Sequence, residues 1–158
     1  MGEAVRKVSD AAPKDTIVVT DVGQHQMFAA RYCRYTTPRT LITSGGMGTM
    51  GYGLPAAVGA KLGCPDRQVV LFVGDGGLQM NIQELQTIIN LKLPIKIFIY
   101  NNDGYLSIKL TQKNFNSGVM VGADSSSGVI LRISHTYGKS LLQKVLPHLR
   151  RRRHGSQR

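Results

Sequence analysis

Two short apolar runs constrain this chain more than any other feature, because each stops abruptly at residues able to hold a hard cation. Gln68–Val73 (QVVLFV) runs into Gly74-Asp75-Gly76, and Ile95–Tyr100 (IKIFIY) runs into Asn101-Asn102. Both runs are rich in β-branched and aromatic residues and are too short for a buried helix, so each reads as an interior strand. Asp75 and Asn102 lie 27 positions apart. That length fits a loop, a helix, a turn and a strand, which is one crossover between parallel neighbours. Both polar endings then share the carboxyl edge of one sheet, where open α/β sheets bind ligands.

The rest of the chain alternates in the same way. Ile17–Thr20 (IVVT) reads as a first strand after a turn at Ala11–Asp15, and Asp21-Val22-Gly23 ends it. Gln24–Tyr35 carries a helical pattern through Met27, Phe28, Ala30 and Tyr35. Thr40–Thr43 is a short extended piece before a glycine loop at Gly45–Gly53. Leu54–Leu62 (LPAAVGAKL) is a small-residue helix with Pro55 in its first turn and Gly63 as its stop. Asn81 with Glu84 three residues on resembles a capping box, opening a helix along Ile82, Leu85, Ile88 and Ile89 that Pro94 cannot continue. Leu106–Phe115 is a last amphipathic helix. The expected fold class is α/β, a parallel sheet flanked by helices on both faces.

At 158 residues the chain is one domain by length. Its net charge of +11 is unevenly placed. Residues 1–128 carry 12 Lys/Arg and all nine Asp/Glu, whereas residues 129–158 carry eight Lys/Arg and no acid. The expected division is a domain over 1–128 and a basic tail over 129–158. Arg150–Arg153 matches a nucleic-acid patch in composition, but a solvated chain end is the plainer reading, so no nucleic-acid partner is expected. No apolar run reaches 18 residues, and the N-terminus lacks a hydrophobic signal core, so a membrane partner is not expected and a cytoplasmic setting is. Cys33 and Cys64 lack metal-type spacing and read as free buried thiols.

GDG, the spaced NN, DVGQHQMFAARY at Asp21–Tyr32, SGGMGTMGYGLPAA at Ser44–Ala56 and NNDGYLSI at Asn101–Ile108 together resemble the thiamine diphosphate enzymes. The text is most similar to the large catalytic subunit of acetolactate synthases, from about Val5 to Val129. The resemblance implies a diphosphate-binding domain with Mg²⁺ held by Asp75, Asn102 and the carbonyl of Gly104, the phosphates and a water completing the shell. It places Gly74, Gly76 and Gly77 under the phosphates, beside the helix opening near Asn81, and Gly23, Gln24 and His25 against the diphosphate end. It makes Met50 the apolar residue on which the cofactor bends, gives the Gly48 carbonyl to the 4′-amino group, and folds Tyr105 and Leu106 over the phosphate. Taken singly, these residues have plainer readings: Asp75 a turn residue, Met50 a core methionine, His25 and Tyr105 packing residues.

The implied activity joins a two-carbon unit from pyruvate to a second 2-oxo acid, as in branched-chain amino acid biosynthesis. Another thiamine diphosphate decarboxylase or lyase, a split-enzyme subunit and a non-catalytic remnant stay open as alternatives. The catalytic glutamate of the family lies on a separate pyrimidine-binding domain. Glu3 and Glu84 do not match it, so the catalytic set in this chain is none, and a partner domain or subunit in a homo- or hetero-oligomer is implied. The central domain that binds FAD in these enzymes is likewise absent from the sequence. Near residue 129 composition and family text break together, which points to a frameshifted or mis-spliced tail. A rival stands in Gly46-x-Gly48-x-x-Gly51, a dinucleotide fingerprint with Asp75 following the next strand. It leaves Asn101-Asn102 idle and is preceded by the half-polar TLITS in place of a buried strand.

Overall fold

The computed structural model describes residues 1–129. Four parallel strands form one sheet: β1 (Ile17–Thr20), β2 (Leu41–Thr43), β3 (Val69–Gly74) and β4 (Ile95–Tyr100). Their order is β2-β1-β3-β4. β1 and β3 are buried along their whole length, as their unbroken apolar text requires of strands covered on both faces. The helices are α1 (Gly2–Ala11), α2 (Gln24–Tyr32), α3 (Gly53–Gly63), α4 (Asp75–Met80), α5 (Glu84–Asn90) and α6 (Leu106–Phe115).

Alternation along the strands divides the core in two. Val19, Val69, Leu71, Val73 and Ile97 meet Leu54, Ala57, Leu78 and Ile88 from α3, α4 and α5. Val18, Val70 and Phe72 point the other way and meet Val5 of α1 and Ala29 of α2. Phe72, fully buried, stacks at a tilt against Phe98 with ring centroids 5.6 Å apart. Helices on both faces of a parallel sheet are what the alternating pattern demands.

Several local expectations need correcting. The second helix ends at Tyr32, short of Tyr35, whose hydroxyl turns back to donate to the Ala29 carbonyl (3.1 Å). The capping box is not made. Asn81 spends its amide N–H on the Gly51 carbonyl (2.7 Å), and Glu84 accepts from the Thr87 hydroxyl (3.1 Å). The helix after β3 opens at Asp75 itself, with Gly74 as its N-cap, and the chain turns again before α5. Cys33 and Cys64 are free but half-buried, and burial pushes the Cys33 thiol up, keeping it protonated at neutral pH. No described helix is long and apolar enough to cross a membrane. The basic tail lies, apart from Val129, outside the described residues.

The strand order locates the site. β2 lies on one side of β1 while β3 and β4 lie on the other, so the connections out of β1 and β3 diverge to opposite faces. A crevice opens between their carboxyl ends, as at every such switch point.

Candidate functional site

A half-open cavity of about 190 Å³ occupies that crevice. The twelve residues singled out from the sequence all line it, from four separate segments. Gly23, Gln24 and His25 come from the turn between β1 and α2. Gly48 and Met50 come from the glycine loop, Gly74 to Gly77 from the β3–α4 junction, and Asn102, Gly104 and Tyr105 from the exit of β4. The register Gly74↔Tyr100 sets the last two segments side by side. Val22 and Leu106 add apolar wall.

Asp75 is 2% exposed. One carboxylate oxygen accepts from the Gly76 N–H at 3.0 Å. The other accepts from the N–H groups of Asn102 and Gly104 at 3.3 and 3.4 Å, both long for bonds to an anion. The three candidate metal ligands are therefore gathered around one carboxylate whose outer oxygen keeps acceptor capacity. Among the described residues no three His, Cys, Asp or Glu side chains cluster. A cation there would rest on one carboxylate, one amide and one carbonyl, a donor set that suits Mg²⁺ completing its shell with phosphate and water.

The glycines carry a second reason beside phosphate approach. A Cβ at Gly76 would stand 2.3 Å from the Tyr105 ring, and a Cβ at Gly77 would stand 2.3 Å from a carboxylate oxygen of Asp21. Both positions are closed to any side chain by the protein's own packing. Gly104 is pinned from behind: it bridges to Asp124, and Tyr105 donates its N–H to the Ala123 carbonyl (2.8 Å).

His25 is buried, and its Nε2 has no hydrogen-bond partner. Burial lowers its pKa; the charge and backbone of Asp21, then the charge of Asp75, pull the other way and lose. An unpartnered, buried imidazole nitrogen in a residue of the cavity lining is the kind of orphaned polar group that a phosphate oxygen would satisfy. The observed cradle thus fits a diphosphate with its cation.

Asp21 is the residue that the sequence argument passed over. It is completely buried, and its carboxylate accepts from Val22 N–H (2.8 Å), Gly51 N–H (3.1 Å) and Gly53 N–H (2.7 Å). Its signal was like that of Asp75, an acid directly after a buried strand, with the glycine here two residues on at Gly23. The dinucleotide rival fails on burial, since the strand before the glycines is the sheet's edge, with Leu41 exposed and Ile42 and Thr43 half-buried.

The chain matches the family "Thiamine pyrophosphate enzyme, C-terminal TPP binding domain" over residues 21–142. It is 48% identical over 113 residues to the acetolactate synthase large subunit of Lactococcus lactis, covering 72% of this chain and 20% of that protein. With the Escherichia coli acetolactate synthase isozyme 3 large subunit it shares 43% over 139 residues, covering 85% of this chain and 24% of that protein. In three dimensions it resembles a thiamine diphosphate-dependent 4-hydroxybenzoylformate decarboxylase of Rhodococcus jostii RHA1. The TM-score is 0.71 at 32% identity, over 78% of this chain and 23% of that one. The chain thus spans about a fifth to a quarter of the length of these relatives. It belongs to the thiamine pyrophosphate enzymes and corresponds to their C-terminal TPP-binding domain.

Proposed function

We propose that residues 1–128 bind thiamine diphosphate together with Mg²⁺ for an acetolactate synthase-like enzyme that joins a pyruvate-derived two-carbon unit to a second 2-oxo acid. The observation that carries this is the Asp75 carboxylate, buried at the switch-point crevice with the Asn102 and Gly104 backbone drawn around its outer oxygen. In this reading Asp75, the Asn102 amide and the Gly104 carbonyl hold the cation. Gly74, Gly76, Gly77, Gly23, Gln24 and His25 surround the diphosphate, with His25 donating from its otherwise unpartnered nitrogen. Gly48 and Met50 face the cofactor's ring portion, and Tyr105 closes the phosphate end.

Bound thiamine diphosphate supplies an electron sink for carbanions derived from 2-oxo acids, which side chains alone do not provide. This chain's residues position it and exclude water. The acid that activates the cofactor's pyrimidine is assigned to a pyrimidine-binding domain or subunit in an oligomer, with FAD as a further component of the complete enzyme, and the setting is cytoplasmic. A second reading, a 2-oxo acid decarboxylase, is favoured by the likeness to the Rhodococcus enzyme. The acid-free tail is read as a frameshifted or mis-spliced end although the family match continues to residue 142, and genomic sequence through codon 129 decides between that and a genuine continuation.

Calorimetry tests the site. Thiamine diphosphate with Mg²⁺ should bind the full chain, and Asp75→Ala should abolish the Mg²⁺-dependent part of that binding. Unchanged affinity in a folded Asp75→Ala protein removes Asp75 from the site and the proposal with it. Product analysis after adding a pyrimidine-binding domain separates the two activities: a carbon–carbon condensation product supports the first, and an aldehyde alone the second.

A further inference from the structure

Two buried carboxylates stand at the ends of neighbouring strands, Asp75 in the lining of the crevice and Asp21 outside it, and their hydrogen bonds divide them. Asp75 has one oxygen with only two long N–H contacts. Asp21 is held by shorter bonds: one oxygen takes Val22 at 2.8 Å and Gly51 at 3.1 Å, the other takes Gly53 at 2.7 Å, and a Cβ on Gly77 would stand 2.3 Å from the first. A carboxylate engaged by short backbone N–H bonds and outside the cavity lining is a strong clamp, since bonds to an ionised acceptor are roughly twice as strong as neutral ones.

What Asp21 clamps is the glycine loop. That segment contributes Gly48 and Met50 to the cavity and little to the core, and Met47 at its tip is 90% exposed. Its early part is tied locally, Gly48 N–H to the Ser44 carbonyl and Thr49 N–H to the Ser44 hydroxyl (both 3.0 Å). Its late part is tied to the body by the Gly51 and Gly53 N–H groups on Asp21 and by the Gly51 carbonyl, which accepts from Asn81. The cavity therefore has Asp75 on the β3 side and Met50 on the glycine loop, and Asp21 ties the late part of that loop to the end of β1.

We propose that Asp21 is a positioning residue that fixes the Gly48–Met50 wall, and so governs affinity for the ring portion of the cofactor without contributing to the cation–diphosphate end. The inference rests on the cofactor assignment above. Replacing Asp21 by Asn sets an NH₂ group either against the Gly53 N–H or against the Val22 and Gly51 N–H pair, so in both orientations one tie to the loop is lost while volume and shape are kept.

The test uses two probes on the full chain: thiamine diphosphate with Mg²⁺, and inorganic diphosphate with Mg²⁺, each titrated by calorimetry. Asp21→Asn should weaken thiamine diphosphate binding by about tenfold, the scale of one lost charge-assisted bond, and leave inorganic diphosphate within about twofold. A general loosening of the fold would weaken both, so equal losses, or no loss, overturn the proposal. Amide exchange in the unmodified chain is the second measurement, and it decides the matter if the variant does not fold. Gly51 and Gly53 should exchange far more slowly than Gly45 and Gly46; equal rates overturn the clamp. An unmodified chain that binds neither probe refutes the cofactor assignment, and the exchange rates then still decide whether Asp21 holds the loop.

Discussion

At the level of single residues, the site is built by close contacts that exclude substitution. The Tyr105 ring lies where a Cβ on Gly76 would fall. Gly76→Ala should therefore destabilise the chain by about 1–3 kcal/mol, the usual cost of overpacking a closed site. Urea unfolding measures it, and combining the change with Tyr105→Leu should recover part of the loss. His25 makes a pH prediction. Its folded pKa lies below the ordinary 6.5 because burial penalises the imidazolium. The unfolded chain then binds the extra proton first, so stability is complete above pH 6.5 and declines as pH falls from there to the folded value. The thermal midpoint should drop across that window, and His25→Gln should flatten this part of the profile. A midpoint as pH-dependent in the variant as in the parent would show that another group titrates.

Among the helices, α6 stands out because none of its ten residues is buried, with Ile108, Leu110 and Phe115 exposed. Polar ties hold it. Lys109 donates to the Asp124 carboxylate, which also accepts from Ser126 and Ser127, and Gln112 bonds both ways with Val121 (2.9 and 3.1 Å). The Lys109 ammonium foremost, then Ser126, keeps the Asp124 carboxyl well below the usual carboxylate range. Its stabilising contribution is complete above the ordinary value of 3.8 and is lost as pH falls below it towards the folded value. Protection of the amides in residues 104–129, taken against their intrinsic exchange rates at each pH, should therefore fall selectively in acid while β3 and β4 remain protected, and Asp124→Asn should produce the same local loosening at neutral pH. The helix itself was readable from its spacing. That side-chain pairing holds it in place of apolar burial was not, because Lys109 and Asp124 are 15 positions apart with no periodic relation.

For the whole molecule, the cavity is lined by the Asp75 carboxylate and by Met50 but by no glutamate. Glu3 pairs with Lys7 on exposed α1, and Glu84 bonds Thr87 on α5; neither lines the crevice. The purified chain should therefore show no turnover of pyruvate, with activity appearing when a separately expressed pyrimidine-binding domain is added. Robust turnover by the chain alone, absent from an Asp75→Ala control, would overturn that assignment. Association is expected near the glycine loop, where Met47 projects almost fully into solvent.

The sequence by itself determined the strands and the residues gathered at their carboxyl ends. Strand burial and helix periodicity are local patterns, and an acid or amide directly after a buried strand has only the sheet edge to occupy. What tertiary structure alone decided are relations across long stretches of chain. Asp21 reaches Gly51 and Gly53 over 30 and 32 residues. Asn81 is drawn 30 residues back to Gly51, away from the cap that its spacing suggested. His25 is left without a partner by the packing around it. A hydrogen bond between distant residues leaves no period in the sequence, so which backbone N–H groups each buried carboxylate accepts becomes visible only once the strands are aligned.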